Sequence, residues 1–370
     1  MSGVREQRTA VTSARRIVIK LGSRTIASDE TVYARLASSI AKARAAGKFV
    51  VLVSSGAIAL GTKKLGFRAR PKEMAKLQAA AAAGQSVLMR AYEEAFGVER
   101  IAVAQVLLTH ADLADRVRGN NARAALAALL EAGAVPILNE NDSVAVEEIK
   151  FGDNDQLAAM VAPLVDADLL ILLSDVEGLL DAKGKRVPLV HDHAEALKHV
   201  RPSTRRSSGD VGTGGMASKL EAARRATLGG AQAVVADARM EGVIDAILRG
   251  DDVGTLFSAA REPLSAKKHW IAFTLRARGD VILDRGAAEA VRIKGKSVLS
   301  VGVLGVRGDF RAGDAVRLLD VDATELGRGL ASCASEDAVR VAGKAKQDLP
   351  EALLAFAELI HRDDMVVWKA

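Results

Sequence analysis

Short runs of almost wholly apolar residues recur through the first two thirds of the chain, at 15–21, 49–53, 101–108, 134–138, 168–173 and 231–236. Runs this short with no polar face belong to strands covered on both sides, as in a parallel sheet, since a half-exposed strand would alternate apolar with polar. Between them lie stretches with helical spacing. Val32, Leu36 and Ile40 fall on one helix face, and helices are expected over 75–95, 122–131, 156–165 and 216–228. Several end at glycine (Gly47, Gly133, Gly229), the residue that closes a helix most cheaply. Strands alternating with helices at this interval predict an α/β fold, a mainly parallel sheet sandwiched by helices. Only 3% of residues are aromatic, so Ala, Val and Leu must fill its core.

The pattern changes near residue 258. A polar stretch around Pro263 reads as a linker, and short glycine-punctuated β runs follow at 281–283, 298–303 and 315–319, with no strong helix expected before 351–360. The expected organisation is a tail over 1–13, an α/β domain over 14–258, a linker over 259–268 and a small, mostly β domain over 269–370. The chain carries 52 basic and 46 acidic residues, a net +6, which suits an anionic substrate or a nucleic acid and demands neither. Residues 266–370 hold 17 basic and 15 acidic side chains, a balance that argues against an RNA partner. A single cysteine, Cys333, excludes an intrachain disulfide and a cysteine zinc site. No run approaches the roughly 18 apolar residues of a membrane helix, and the N-terminus lacks a signal-peptide core, so a cytoplasmic protein without membrane contact is expected.

Polar and glycine residues gather where the expected strands end, the edge at which open α/β sheets bind ligands. Lys20-Leu21-Gly22-Ser23 places a lysine inside an apolar strand, which is costly without an anionic partner. Ser54-Ser55-Gly56-Ala57 offers backbone N–H groups at a helix start. Asn139-Glu140-Asn141-Asp142 and Gly152-Asp153-Asn154-Asp155 read as two short loops. They are suited to an amino acid's ammonium and carboxylate, to Mg²⁺, or to helix capping, with Asp155 a candidate N-cap. Gly212-Thr213-Gly214-Gly215-Met216, with Lys219 one turn later, has the logic of a phosphate cradle without the spacing of a P-loop. Lysines and glycine loops at one sheet edge suggest phosphoryl transfer, which needs positioned positive charge and no protein nucleophile. A G-x-S-x-G elbow and zincin histidines are absent from the sequence.

In order, VIKLGS (18–23), SSGAIALG (54–61), AAAAGQSVLM (80–89), PILNENDSVA (136–145), GDNDQLAA (152–159), LILLSDVEGL (170–179) and GTGGMASKL (212–220) resemble the amino acid kinase family. Within it the pairing of NEND with GDND is most similar to the branch that phosphorylates the side-chain carboxylate of L-glutamate, the first step of proline synthesis. HRDDMV (361–366) is similar to the end of that branch's C-terminal domain, a PUA-like pseudo-barrel. The resemblance spans essentially the whole chain and implies ATP and Mg²⁺ as cofactors. It also implies homo-oligomers (dimers or tetramers) and feedback inhibition by proline.

By the same resemblance, Lys20 and Lys219 neutralise the transferring phosphoryl group and Asp155 holds both lysines, forming the catalytic set. ATP-binding positions are Lys20, Gly22, Ser174, Asp175, Thr213, Gly214, Gly215, Met216, Ala217, Ser218 and Lys219. Ser55, Gly56, Asp142 and Asn154 match glutamate-binding positions, and no resident metal ligand is implied. Two departures stand out. Ser174 replaces the family's usual threonine, and Leu180 stands where a tyrosine is common, which leaves contacts to the nucleotide base unassigned. Other acceptors used in the family (N-acetylglutamate, aspartate, carbamate, UMP) fit these loops and the PUA-like tail less well.

Overall fold

The computed structural model describes residues 2–29, 31–145, 154–199 and 215–368. They fall into two compact units, Met1–Pro263 and Leu264–Ala370, divided inside the stretch expected as a linker.

The first unit is built on one sheet. Its described strands are β1 (Arg16–Leu21), β2 (Phe49–Val53), β3 (Val103–Leu108), β4 (Val135–Glu140), β5 (Leu169–Ser174), β6 (Leu189–Val190), β7 (Gln232–Asp237) and β8 (Thr255–Phe257). They lie in the order β3-β4-β2-β1-β5-β7-β8-β6, and every neighbouring pair is parallel except β7 with β8. All six residues of β5 and five of the six in β1 are buried. That is the physical cause of their apolar sequence: helices cover both faces, and two apolar layers form. One gathers Ile17, Ile19, Leu52, Leu169, Ile171 and Leu173 with Leu36 and Tyr92; the other gathers Val18, Val51, Leu170 and Leu172 with Val161 and Ala223. The chain passes from β1 to β2 on one side and later returns to place β5 on the other. Strand order therefore reverses at β1/β5, which opens a crevice at the C-terminal strand ends.

Residues 2–12, expected as a tail, form a helix. Arg8 explains why: it is buried, and its guanidinium donates to the carbonyls of Pro188, Val253 and Gly254 while pairing with Asp252 at 3.1 Å. Asn139 and Glu140, expected in a loop, instead complete β4 opposite Leu107 and Leu108.

The second unit holds a five-stranded sheet, β11-β9-β12-β13-β15, among the described residues: β9 (Gly279–Leu283), β11 (Val303–Gly308), β12 (Ala315–Leu319), β13 (Glu325–Leu330) and β15 (Met365–Val367). A two-stranded pairing joins β10 (Val298–Leu299) to β14 (Glu358–Ile360). Two expectations are corrected here. A helix spans Arg285–Lys294, opened by the Asp284 side chain accepting from Ala287 N and closed at Gly295 with φ +57°. The helix expected over 351–360 is a 3₁₀ segment, Glu351–Ala357, that yields to β14, because Leu359 and Ile360 are buried in the core of this unit.

Candidate active site

Lys20 sits near the end of β1, where its buried ammonium must find an anion. It finds Asp155. The Lys20 Nζ lies 2.6 Å from one Asp155 carboxylate oxygen, and Lys219 Nζ lies 3.1 Å from the other. Asp155 is fully buried in the first turn of the Asn154–Leu164 helix, and its carboxylate serves the two lysines. Lys219 comes from the first turn of the Met216–Leu228 helix, which packs beside that of Asp155; Gln156 Nε2 donates to the Ser218 carbonyl at 3.3 Å between them. Burial pushes the Asp155 carboxyl up, and the two adjacent ammonium groups more than offset this, holding it below the ordinary carboxylate range. The triad is one anion between two cations. It carries a net positive charge in a buried place, a setting that favours a further, polyanionic partner.

Beside it lie the ends of β2 and β4. Asn154 Nδ2 is within 2.6 Å of the Ser54 carbonyl, 2.8 Å of Ser55 Oγ and 2.9 Å of Asn139 Oδ1, three acceptors for two amide hydrogens. Asn139 Nδ2 is buried and has no hydrogen-bond partner among the described residues. Ser54 Oγ is 2.8 Å from the hydroxyl of Tyr92, which reaches up from the Met74–Val98 helix. Gly56 adopts φ +95° at the start of the Ala57–Lys64 helix, and a Cβ there would press on Ile26 at 3.1 Å. Glu140 and Asp142 are buried at the end of β4 and in the turn after it. The group thus combines amide and hydroxyl donors with carboxylates, the two kinds of partner that an amino acid's carboxylate and ammonium require.

On the other side of β1, Gly22 lies at the end of β5, since a Cβ on it would stand 3.7 Å from the Leu173 carbonyl and 3.8 Å from Lys20 Nζ. Ser174 Oγ is 3.1 Å from Asp175 Oδ1. The structure therefore brings Lys20, Gly22, Ser55, Gly56, Asp142, Asn154, Asp155, Ser174, Asp175 and Lys219 to one edge of one sheet. Gly215, Met216, Ala217 and Ser218 lead into Lys219 at the helix start. Thr213 and Gly214 lie outside the described residues, as do Gly152, Asp153 and the basic stretch 201–210. Sequence reasoning left out two contributors. Asn139 was visible only as part of an acidic and amide string. Tyr92 gave no local signal, because its partner Ser54 lies far away in the chain. Among the described residues no group of three or more His, Cys, Asp and Glu side chains is placed to hold a metal ion.

Comparison with known proteins converges on the same segments. The amino acid kinase family model matches residues 15–237, a span that includes both lysines and Asp155. The chain belongs to the amino acid kinase family. The PUA domain model matches residues 279–353 of the second unit. The glutamate 5-kinase of Geobacter metallireducens is 45% identical, with 97% of this chain and all of that protein aligned. That of Myxococcus xanthus is 44% identical over 99% of this chain and 100% of its own, and that of Pelobacter propionicus 43% over 95% and 97%. The second unit adds a β-rich PUA domain to the amino acid kinase domain.

Proposed function

We propose that this chain transfers the γ-phosphoryl group of ATP to the side-chain carboxylate of L-glutamate, giving γ-glutamyl phosphate and ADP, the first step of proline synthesis. The observation that carries the reading is the buried Lys20–Asp155–Lys219 triad at the β1/β5 crevice. A carboxylate oxygen of glutamate attacks the γ-phosphorus as the bond from that phosphorus to the ADP oxygen breaks. No base is needed, because the acceptor is already ionised at neutral pH. Lys20 and Lys219 stabilise charge on the moving phosphoryl oxygens, and Asp155 holds both ammonium groups in place. Ser55, Gly56, Asp142 and Asn154 hold glutamate. Ser174, Asp175 and the segment 213–219 hold the nucleotide. Mg²⁺ enters with the nucleotide phosphates, which suits an ion that keeps much of its water and is bound through substrate oxygens. The reading carries with it a cytoplasmic location, a homo-oligomer and inhibition by proline.

The test is ATP- and Mg²⁺-dependent hydroxamate formation with hydroxylamine, comparing L-glutamate, N-acetyl-L-glutamate and L-aspartate. Signal with glutamate alone is expected; signal with another acid instead would overturn the acceptor while keeping the phosphoryl-transfer site. In the same assay Asp142→Ala is expected to raise KM for glutamate roughly tenfold to a hundredfold, the worth of one buried charged partner. A change confined to the KM for ATP would contradict the placement of Asp142 on the acceptor side.

A further inference from the structure

Arg24 stands in the first turn of the Ser23–Ser28 helix, two residues beyond Gly22, and its guanidinium lies 2.8 Å from Asp175 Oδ2. Asp175 directly follows β5, so this ion pair crosses the β1/β5 boundary where strand order reverses. The same turn is gripped from its other side. Arg239 Nη2 donates to the Asp175 carbonyl at 3.0 Å while its guanidinium is fixed on Asp237 at the end of β7, at 2.7 and 2.9 Å. Ser174-Asp175 is thus held through its side chain by one arginine and through its main chain by another.

Stability alone gives little reason for the first of these contacts. Arg24 is 46% exposed and Asp175 38%, and pairs this open to water contribute only about 0–1 kcal/mol to a fold. What the pair does fix is geometry. One end is on the stretch that carries Lys20 and Gly22, and the other is on the turn that carries Ser174. We propose that Arg24 is a positioning residue for the nucleotide: through Asp175 it sets the Ser174-Asp175 turn against the Lys20–Gly22 stretch, so that both engage one nucleoside triphosphate at once. This rests on the phosphoryl-transfer reading for its ligand class and is independent of which acid accepts the phosphoryl group. Two segments locked in register before the ligand arrives lose less freedom on binding, which is how a peripheral contact raises affinity.

The experiment measures Arg24→Ala, Arg24→Lys, Asp175→Ala and the double variant by calorimetric binding of a non-hydrolysable ATP analogue with Mg²⁺, and by steady-state kinetics. Arg24→Ala is expected to weaken analogue binding and raise KM for ATP by about three- to fivefold, the most that an ion pair this exposed can contribute through preorganisation. KM for the acceptor should stay within about twofold on the same scale, Arg24→Lys should recover part of the loss, and the double variant should be no worse than Asp175→Ala. Unchanged analogue affinity in Arg24→Ala would overturn the proposal. So would an equal rise in the acceptor KM, which would mark a general loss of structure, or additive losses in the double variant, which would place Arg24 on the ligand itself. Analogue binding needs no acceptor. A wild type silent toward all three acids but sensitive to Arg24→Ala in binding would sink the glutamate reading and leave this one standing.

Discussion

Lys219→Ala is expected to lower kcat by about 10²–10⁴-fold with a much smaller change in either KM, the pattern of a donor whose contact strengthens only as charge moves in the transition state. The geometry supplies the reason. Lys219 is buried and its ammonium is held 3.1 Å from Asp155, so it is aimed before any ligand arrives and needs no reorganisation as the phosphoryl group leaves ADP. In a buried site the interaction is also screened less than it would be in water. The variant should still fold. Asp155 keeps Lys20 at 2.6 Å, so the buried carboxylate is not stranded, and the thermal midpoint should fall only modestly. Steady-state kinetics on protein with a near-native melting curve make the measurement. Wild-type kcat would remove Lys219 from the chemistry, and loss of ATP affinity with kcat unchanged would make it a ground-state ligand instead.

The parts of this molecule legible in the sequence are those whose cause is local. A strand buried on both faces has to be apolar, so β1, β2 and β5 stood out, and glycines marked helix ends. The pattern failed where burial and polarity coincide. Asn139 and Glu140 read as loop because they are polar, yet they are buried members of β4 whose side chains serve the site. The Arg285–Lys294 helix buries Val291 alone in full, too little for an apolar stripe, although its Asp284 cap and Gly295 stop were both present. Glu358 and Ile360 sit in a helix-like context but pair with Leu299 and Val298, and Leu359 and Ile360 enter the core of this unit. The site was legible by resemblance as a set of names, not as an arrangement. Asp155 and Lys219 are 64 positions apart and meet only because two helices pack side by side. Arg24 and Tyr92 carry no motif of their own, and only their partners reveal what they hold.

The Gly61 and Gly84 strings matched relatives without giving a reason, and the structure provides one that predicts the largest loss of stability. A Cβ on Gly84 would stand 1.8 Å from the Ala57 carbonyl oxygen, and one on Gly61 would stand 1.7 Å from that of Ala80. These are backbone atoms, so no side chain can swing away; the Ala57–Lys64 and Met74–Val98 helices would have to separate. Gly84→Ala is therefore expected to cost about 3 kcal/mol or more, at or beyond the upper end for overpacking, against a helix-propensity gain of up to about 1 kcal/mol. For a unit of this size that corresponds to a fall in Tm of about 6–12 °C. The damage should reach function in a particular direction. The shorter helix begins directly after Gly56, and the longer one holds Ser54 through Tyr92, so separating them displaces the Ser54–Gly56 turn on the acceptor side. KM for glutamate should rise well before nucleotide binding weakens. Gly97→Ala, in the same long helix but with nothing within 4 Å of its Cβ, is the control and should leave both Tm and kinetics near wild type. If the two substitutions behaved alike, the helices could not be in backbone contact, and the acceptor-side turn would have to be held by something other than the helix pair.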